Sequence, residues 1–136
     1  MHELTRGDVA EQAAVHVETL RYYERRGLIP KPRRTATNYR IYSPDTIRLV
    51  RFVKHAQELG FALDEIKELL SLRATPNARC GDIRRRAEAK MQDIDEKMRA
   101  LRRMRRALST LIEECAGERP ITDCPILEAL ATERVR

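Results

Sequence analysis

Glycine, proline and aromatic residues are scarce in this chain of 136 residues, which contains 5 Gly, 6 Pro and only 4% aromatic residues. A sandwich or barrel of many short strands needs more turn-forming residues, so the composition argues against an all-β fold. Arg, Ala, Leu and Glu, which all favour helices, are instead abundant. The composition therefore predicts an all-α protein of about one domain.

Long apolar segments are also missing. No uncharged apolar run approaches the roughly 18 to 20 residues that a membrane-spanning helix requires, and the first residues, Met-His-Glu-Leu-Thr, contain no apolar signal core. We therefore expect a cytoplasmic protein that has no membrane partner.

Positive charge is concentrated near the N-terminus. Residues 1–56 contain 11 basic and 6 acidic side chains, a net charge of +5, whereas residues 57–136 contain 16 and 15, a net charge of +1. Such a local excess is typical of proteins that bind a nucleic acid backbone or an anionic membrane, although it also occurs on solvated surfaces without a partner. The N-terminal segment is therefore the candidate binding surface.

Two short helical patterns joined by a tight turn occupy the start of the chain. Thr5, followed three residues later by Asp8, predicts a capped start for the first helix. A second helix is predicted over residues 17–26 and ends at Gly27, which suits the left-handed conformation that often follows a helix. This arrangement predicts a helix-turn-helix.

A small hairpin is predicted next. Leu28 and Ile29 are expected to form one very short strand and residues 39–42 another, around a basic loop over residues 30–38. Helical patterns over residues 43–59 and 63–72 follow. Together these elements predict a winged helix-turn-helix DNA-binding domain over residues 1–72.

One long helix is predicted beyond a linker at residues 73–79, because residues 82–116 contain no Gly and no Pro. Its apolar residues recur at the three- and four-residue steps of a heptad pattern. They are Ala87, Met91, Ile94, Met98, Leu101, Leu108 and Ile112, with Arg105 at the one interrupted position. This row predicts that residues 80–115 pair with the same helix of a second subunit; packing against residues 1–72 is the alternative.

The three cysteines lie near the ends of this helix. Cys80 and Cys115 are 35 residues apart, which is five heptads and about 52 Å along a straight helix. If two such helices pair antiparallel, Cys80 of one subunit lies beside Cys115 of its partner, and Cys124 can fold back to the same end. The spacing thus predicts three thiolates at each end of a dimer, within reach of one metal ion. Three unrelated buried cysteines are the alternative.

Catalytic chemistry is not predicted. His2, His16 and His55 all lie in the N-terminal part of the chain, so no histidine accompanies a cysteine as a base. No Cys-x-x-Cys motif is present, which argues against an iron–sulfur cluster. We therefore expect a protein that is not an enzyme.

Three segments of the chain resemble the MerR family of transcription regulators: residues 18–28 (ETLRYYERRGL), 38–42 (NYRIY) and 60–70 (GFALDEIKELL). Within that family, cysteine steps of 35 and 9 residues are similar to those of the mercury(II)-responsive members. The resemblance implies a homodimer that binds double-stranded promoter DNA, represses without metal and activates RNA polymerase with mercury(II) by distorting the DNA. Sensors of cadmium, lead or organomercurials and thiol redox sensors are the alternatives.

The resemblance also implies which residues make these contacts. The second helix would enter the major groove and the wing would clamp the DNA backbone. The implied DNA-binding residues are Glu18, Thr19, Arg21, Tyr22, Arg33, Arg34, Asn38, Tyr39 and Arg40, whereas Tyr23 is expected in the core. The implied mercury(II) ligands are Cys80 of one subunit with Cys115 and Cys124 of the other, the last on a metal-binding loop and short helix over residues 116–136.

Two positions depart from the family pattern. Ala14 stands where many members have glycine in the turn between the first two helices, and Ala62 stands where a helix-capping serine is common. Loss of that cap is expected to weaken the helix start by roughly 0.5 to 2 kcal/mol.

Overall fold

The structure is a computed structural model that describes residues 4–132, and it confirms the all-α fold class with a minimal two-stranded wing. The helices are α1 (Arg6–Ala13), α2 (Val17–Arg25), α3 (Asp45–Glu58), α4 (Leu63–Arg73), α5 (Cys80–Glu114) and α6 (Pro125–Ala131), and the strands are β1 (Arg33–Arg34) and β2 (Arg40–Ile41). A 3₁₀ turn over Ile121–Asp123 precedes α6. Residues 1–3 of the predicted DNA-binding domain, including His2, and residues 133–136 of the predicted C-terminal segment lie outside the described residues.

The start of α1 has the capping arrangement that the sequence predicts. Thr5 Oγ1 accepts a hydrogen bond from the backbone N–H of Asp8 at 3.1 Å, and Asp8 Oδ2 accepts one from the N–H of Thr5 at 2.9 Å. The hydrogen bond from the Thr5 backbone contributes most to lowering the pKa of the exposed Asp8 carboxyl, and the hydrogen bond with the Thr5 side chain lowers it further. The capping carboxylate therefore stays charged at neutral pH.

The turn between α1 and α2 depends on two basic side chains of α3. Arg51 Nη2 donates to the carbonyl of Gln12 at 2.8 Å, and Lys54 Nζ donates to the carbonyl of Ala14 at 3.0 Å. The last carbonyl groups of a helix lack partners within it, and cations near the C-terminal end also interact favourably with the helix dipole. These bonds hold α1 against α3 and fix the angle at which α2 begins.

Ala14 itself is in the left-handed conformation, with φ 57° and ψ 46°. Replacing Ala14 by glycine is expected to raise the free energy of unfolding by about 0.5 to 1 kcal/mol, because glycine adopts this conformation without steric strain. Urea unfolding followed by circular dichroism measures the change. Ala13→Gly, which makes the same change at a helical residue, should instead lower stability, and a loss of stability in Ala14→Gly would contradict the strain.

The predicted first strand of the wing is wrong. Leu28 and Ile29 are each only 3% exposed and lie in the core. The N–H of Leu28 donates to the carbonyl of Tyr23 at 3.0 Å and closes the end of α2 instead of joining a sheet. The core takes both side chains, and the two prolines that follow within residues 30–32 have no N–H for strand pairing.

The wing forms farther along the chain, inside the segment that the sequence predicts as its loop. β1 pairs antiparallel with β2, so that Arg33 lies opposite Ile41 and Arg34 lies opposite Arg40. An isolated antiparallel bridge between Leu4 and Tyr42 attaches the base of the wing to the residues before α1.

A core formed by α1 to α4 supports the wing and the helix-turn-helix. Its fully buried side chains include Val9 of α1, Leu20 of α2, Val50 and Val53 of α3 and Ile66 of α4. Tyr23 is buried as predicted, and its hydroxyl donates to Gln57 Oε1 on α3 at 2.6 Å.

The start of α4 keeps half of a capping box. Ala62 has no side-chain oxygen to accept a bond, but its own N–H donates to Glu65 Oε1 at 2.8 Å. The expected departure at Ala62 therefore removes one of the two capping bonds and leaves the reciprocal one.

The chain divides into two compact units, with the boundary between Arg85 and Arg86 inside α5. The heptad row predicted along α5 is largely exposed, and Met104, absent from the predicted row, is also 58% exposed. Met104 lies beside Arg105, so apolar surface continues past the charged position. Within residues 4–132, no helix is long and apolar enough to cross a membrane.

Candidate nucleic-acid interface and metal ligands

The outer face of α2 carries charged and aromatic side chains in contact with each other. Arg21 Nη1 donates to Glu18 Oε1 at 2.8 Å, and both side chains are exposed. The guanidinium carbons of Arg25 and Arg26 each lie 5.9 Å from the ring centroid of Tyr22, a cation–π distance. This face can offer donors, an acceptor and an aromatic ring to one ligand.

The wing is ordered by its own side chains. Arg34 Nη1 donates to Asn38 Oδ1 at 3.0 Å, and Asn38 occupies the turn with a φ of 70°, which asparagine tolerates better than most residues. Thr35 Oγ1 accepts from the N–H of Tyr39 at 3.0 Å. Asn38 therefore shapes the turn, and Tyr39 is left exposed at its tip.

A basic groove lies between α2 and the wing. Its lining residues are Arg6, Arg21, Glu24, Arg25, Lys31, Pro32, Arg34 and Arg40, of which six are basic and one is acidic. Guanidinium groups match phosphate oxygens in geometry and charge. The groove is thus suited to a polyanion such as a nucleic acid backbone.

The groove brings together only part of the predicted DNA-binding set. Arg21, Arg34 and Arg40 line it, and Asn38 and Tyr39 line an adjoining hollow under the wing. Arg33 neighbours Arg34 in β1 and lines neither, because successive side chains of a strand point to opposite faces. Glu18, Thr19 and Tyr22 are on α2 but do not line the groove.

Sequence reasoning missed a largely buried cluster, two of whose members, Arg6 and Glu24, also line the groove. Glu24 is 9% exposed; its Oε2 accepts from Arg6 Nη2 at 3.0 Å, and its Oε1 accepts a hydrogen bond from the Tyr42 hydroxyl. Arg6 Nε also donates to the Tyr42 oxygen at 3.0 Å. The available signal was that Glu24 lies four residues after Leu20, on the apolar face of α2.

The surroundings in the cluster raise the pKa of two of its members, Tyr42 and Arg6. Burial raises the pKa of the Tyr42 hydroxyl, and the hydrogen bond to Glu24 raises it further, so Tyr42 remains a donor. Burial lowers the pKa of the Arg6 guanidinium, but its bonds to Tyr42 and Glu24 outweigh this and raise the pKa overall. Arg6 therefore keeps its positive charge.

The three cysteines are free thiols, of which two lie at the ends of α5 and the third lies before α6. Cys80 is its first residue and is exposed, Cys115 follows its last residue, and Cys124 immediately precedes α6; the latter two are partly buried. About 52 Å of helix separates Cys80 from Cys115. In the part of one chain that the structure describes, no group of three or more His, Cys, Asp or Glu side chains is placed to hold a metal ion.

Two models of known protein families match this chain. The model of the "MerR HTH family regulatory protein" matches residues 4–72, and a model described as "MerR, DNA binding" matches residues 47–111. The chain belongs to the MerR family of transcription regulators. The first match spans α1 to α4 and the wing, so all the residues that line the groove lie within the matched segment.

Relatives and solved structures cover nearly the whole chain. A mercuric resistance operon regulatory protein of Bacillus cereus is 44% identical over 91% of this chain and 94% of its own length. The lead(II) complex of the regulator PbrR691 from Ralstonia metallidurans CH34 has a TM-score of 0.84 at 32% identity, covering 93% of this chain and 98% of that one. The mercury(II) complex of MerR from Bacillus megaterium MB1 has a TM-score of 0.70 at 38% identity, covering 90% and 94%. These proteins are transcription regulators and not enzymes.

Proposed function

We propose that this MerR-family protein is a cytoplasmic, homodimeric and mercury(II)-responsive regulator of a metal-resistance operon. It represses its promoter without metal, and with mercury(II) it distorts the DNA so that RNA polymerase can engage. The observation that carries the proposal is the placement of free thiols at both ends of one 35-residue helix, with a third free thiol nine residues beyond its second end, directly before α6. The mercuric resistance regulator and the mercury(II)-bound structure among the relatives support it.

The proposed DNA interface consists of α2 in the major groove and the wing against the backbone. Glu18, Thr19, Arg21 and Tyr22 are proposed to meet bases and phosphates, and Arg33, Arg34, Asn38, Tyr39 and Arg40 to hold the backbone. The basic groove supports this arrangement because it puts arginines of α2 and of the wing along one surface.

Arg21→Ala is expected to weaken operator binding about tenfold or more, since it removes a guanidinium and leaves the Glu18 carboxylate unpaired beside the DNA. The slope of log affinity against log salt concentration should become shallower by about one, the contribution of one phosphate contact. Fluorescence anisotropy at several salt concentrations measures both quantities. Arg119→Ala, in the loop after α5, removes the same charge outside the groove and outside the α5 pairing segments. Equal binding by the two variants would remove Arg21 from the interface.

Pairing of two α5 helices is proposed from their exposed apolar row and their charge pattern. Residues 87–97 contain four acidic and two basic side chains, a net charge of −2, whereas residues 98–108 contain five arginines and no acid, a net charge of +5. In a parallel pair, each half of the helix would lie beside the same half of its partner, so like charges would meet. In an antiparallel pair, the half with a net charge of −2 lies beside the half with a net charge of +5 at both ends, so opposite charges meet. The midpoint of these two halves is also the midpoint between Cys80 and Cys115, so the same pairing brings those thiols together.

The proposed mercury(II) ligands are Cys80 of one subunit and Cys115 and Cys124 of the other. The donor set fits the ion because thiolates are soft ligands. Of the described histidines, His16 immediately precedes α2 and His55 lies in α3, so both are far along the chain from these cysteines. Zinc is usually held by four ligands, which this set does not supply. Mercury(II), once bound, would link the two subunits through sulfur.

Metal response then requires the two dimer geometries to bind the ion differently. A ligand shifts an equilibrium only by its differential affinity for the two states. Because the ligands come from both subunits, a dimer geometry that brings the α5 ends together favours the ion, and the ion favours that geometry. The energy of distorting the promoter is thereby linked to metal binding.

A lead(II) sensor is the second candidate, since the lead(II)-bound PbrR691 structure superposes with the higher of the two quoted TM-scores. Both ions bind thiolates, so the fold alone does not separate them. Induction of a reporter gene over matched concentrations of mercury(II) and lead(II) distinguishes the candidates. A mercury sensor should respond to mercury(II) at a far lower concentration than to lead(II), whereas a lead sensor should show the reverse order.

A further inference from the structure

The buried cluster of Arg6, Glu24 and Tyr42 connects three elements that flank the basic groove. Arg6 begins α1, Glu24 lies in the last turn of α2, and Tyr42 directly follows β2. Each member is hydrogen-bonded to the other two, with both carboxylate oxygens of Glu24 in use. Through these hydrogen bonds, the last strand of the wing is connected to the helix that is proposed to enter the major groove.

The wing itself is small and mostly exposed. Its sheet contains only two pairs of residues, and an isolated two-stranded hairpin is marginally stable. The strand residues are exposed or only partly buried, so they contribute little to the core. At its base, Tyr42 is held by its bridge with Leu4, by its ring in the core and by its hydroxyl in the cluster.

The position of the wing decides where its arginines lie. Arg40 is two residues before Tyr42, and Arg34 is its partner across the sheet; both line the groove with Arg21 of α2. Since phosphates along a DNA strand have fixed spacing, arginines from two elements can contact one strand together only if those elements are held at a fixed separation.

We propose that Glu24 and Tyr42 are positioning residues that hold the wing against α2, so that Arg34 and Arg40 bind the same DNA backbone that Arg21 contacts. Neither residue needs to touch DNA. Glu24 accepts the Tyr42 hydroxyl and the Arg6 guanidinium together, and this fixes the base of the wing. The proposal rests on the proposed DNA-binding function.

Tyr42→Phe tests the proposal, because it removes only the hydroxyl and leaves the aromatic ring and the Arg6–Glu24 ion pair. Tyr23→Phe is the matched control: it also removes a buried hydroxyl with a hydrogen bond from the same domain, but that bond joins α2 to α3 and not to the wing. Circular dichroism should show both variants fully folded at the assay temperature.

Binding is measured with a DNA duplex that the wild-type protein recovers from a random-sequence pool, over a range of salt concentrations. Tyr42→Phe is expected to weaken binding about tenfold. The slope of log affinity against log salt concentration should become shallower by about two, because the phosphate contacts of Arg34 and Arg40 are both lost. Tyr23→Phe should keep the wild-type slope. A purely structural role for Tyr42 would leave the slope of the folded variant unchanged.

Amide hydrogen exchange gives a second measurement that does not depend on DNA. The N–H groups of Thr35 and Tyr39 should exchange faster in Tyr42→Phe than in the wild-type protein or in Tyr23→Phe. Identical wing exchange and identical salt slopes in the two variants would overturn the proposal. Failure of wild-type protein to recover any duplex would instead overturn the proposed DNA-binding function.

Discussion

Cys124→Ser is expected to abolish transcriptional induction by mercury(II) while leaving operator binding unchanged. Mercury(II) accepts two thiolates, so Cys80 of one subunit and Cys115 of the other are still able to bind it. Without the third thiolate, however, the loop between α5 and α6 has no bond to the ion. The difference in mercury(II) affinity between the two dimer geometries therefore becomes smaller.

A reporter gene under the cognate promoter measures induction, and anisotropy with the operator measures binding. Thr122→Ser is the matched control, since it changes a neighbouring side chain in the same loop without removing a thiol. Ultraviolet charge-transfer absorption on adding mercury(II) to reduced protein reports thiolate ligation, and its intensity should be lower in Cys124→Ser. Full induction of this variant would exclude Cys124 as a ligand that the response needs.

Helix starts and helix lengths could be predicted from the sequence because their signals are local. The Thr5 and Asp8 pair forms the expected capping bonds, and the run without Gly or Pro becomes α5, within a residue or so of the predicted ends. These features depend on residues within one turn or one helix, where the spacing of side chains follows from helical geometry.

The wing could not be predicted in detail because its position depends on distant contacts. β1 consists of two arginines with no apolar alternation, so nothing in that dipeptide marks it as a strand. Leu28 and Ile29 have the composition of a strand, but the core takes their side chains. Pairing with β2 decides the position of β1, and that pairing is a property of the folded domain.

The candidate site divides in the same way. Resemblance supplied the exposed residues of α2 and the wing, whose roles stay predictions. The buried cluster joins residues 18 and 36 positions apart, and neither Arg6 nor Tyr42 carries a local signal of it. Only Glu24, a carboxylate on an apolar face, marks the cluster in the sequence.

A heterodimer of one Cys80→Ser subunit and one Cys115→Ser subunit is expected to recover one complete mercury(II) site. In the proposed antiparallel dimer, the Cys80→Ser subunit still supplies Cys115 and Cys124, and its partner still supplies Cys80 to that end. The opposite end lacks both Cys80 and Cys115. Each mutant homodimer, by contrast, has no end with three thiolates.

Combining Cys115→Ser with Cys124→Ser provides the control. Both of these cysteines are proposed to come from the same subunit at each end, so this heterodimer has only two thiolates at either end. Its failure to recover a site would show that restoration in the first heterodimer depends on which subunit supplies each ligand, and not on the number of cysteines that remain.

The most direct test is to count the mercury(II) ions that each purified dimer retains against a competing small-molecule thiol, which removes the ion from sites with two thiolates more readily than from sites with three. The two subunits carry different affinity tags, so that only heterodimers are recovered. The account predicts one retained ion for the Cys80→Ser and Cys115→Ser heterodimer and none for either homodimer or for the control pair. A heterodimer that retains no more mercury(II) than its parent homodimers would contradict a site shared between antiparallel subunits.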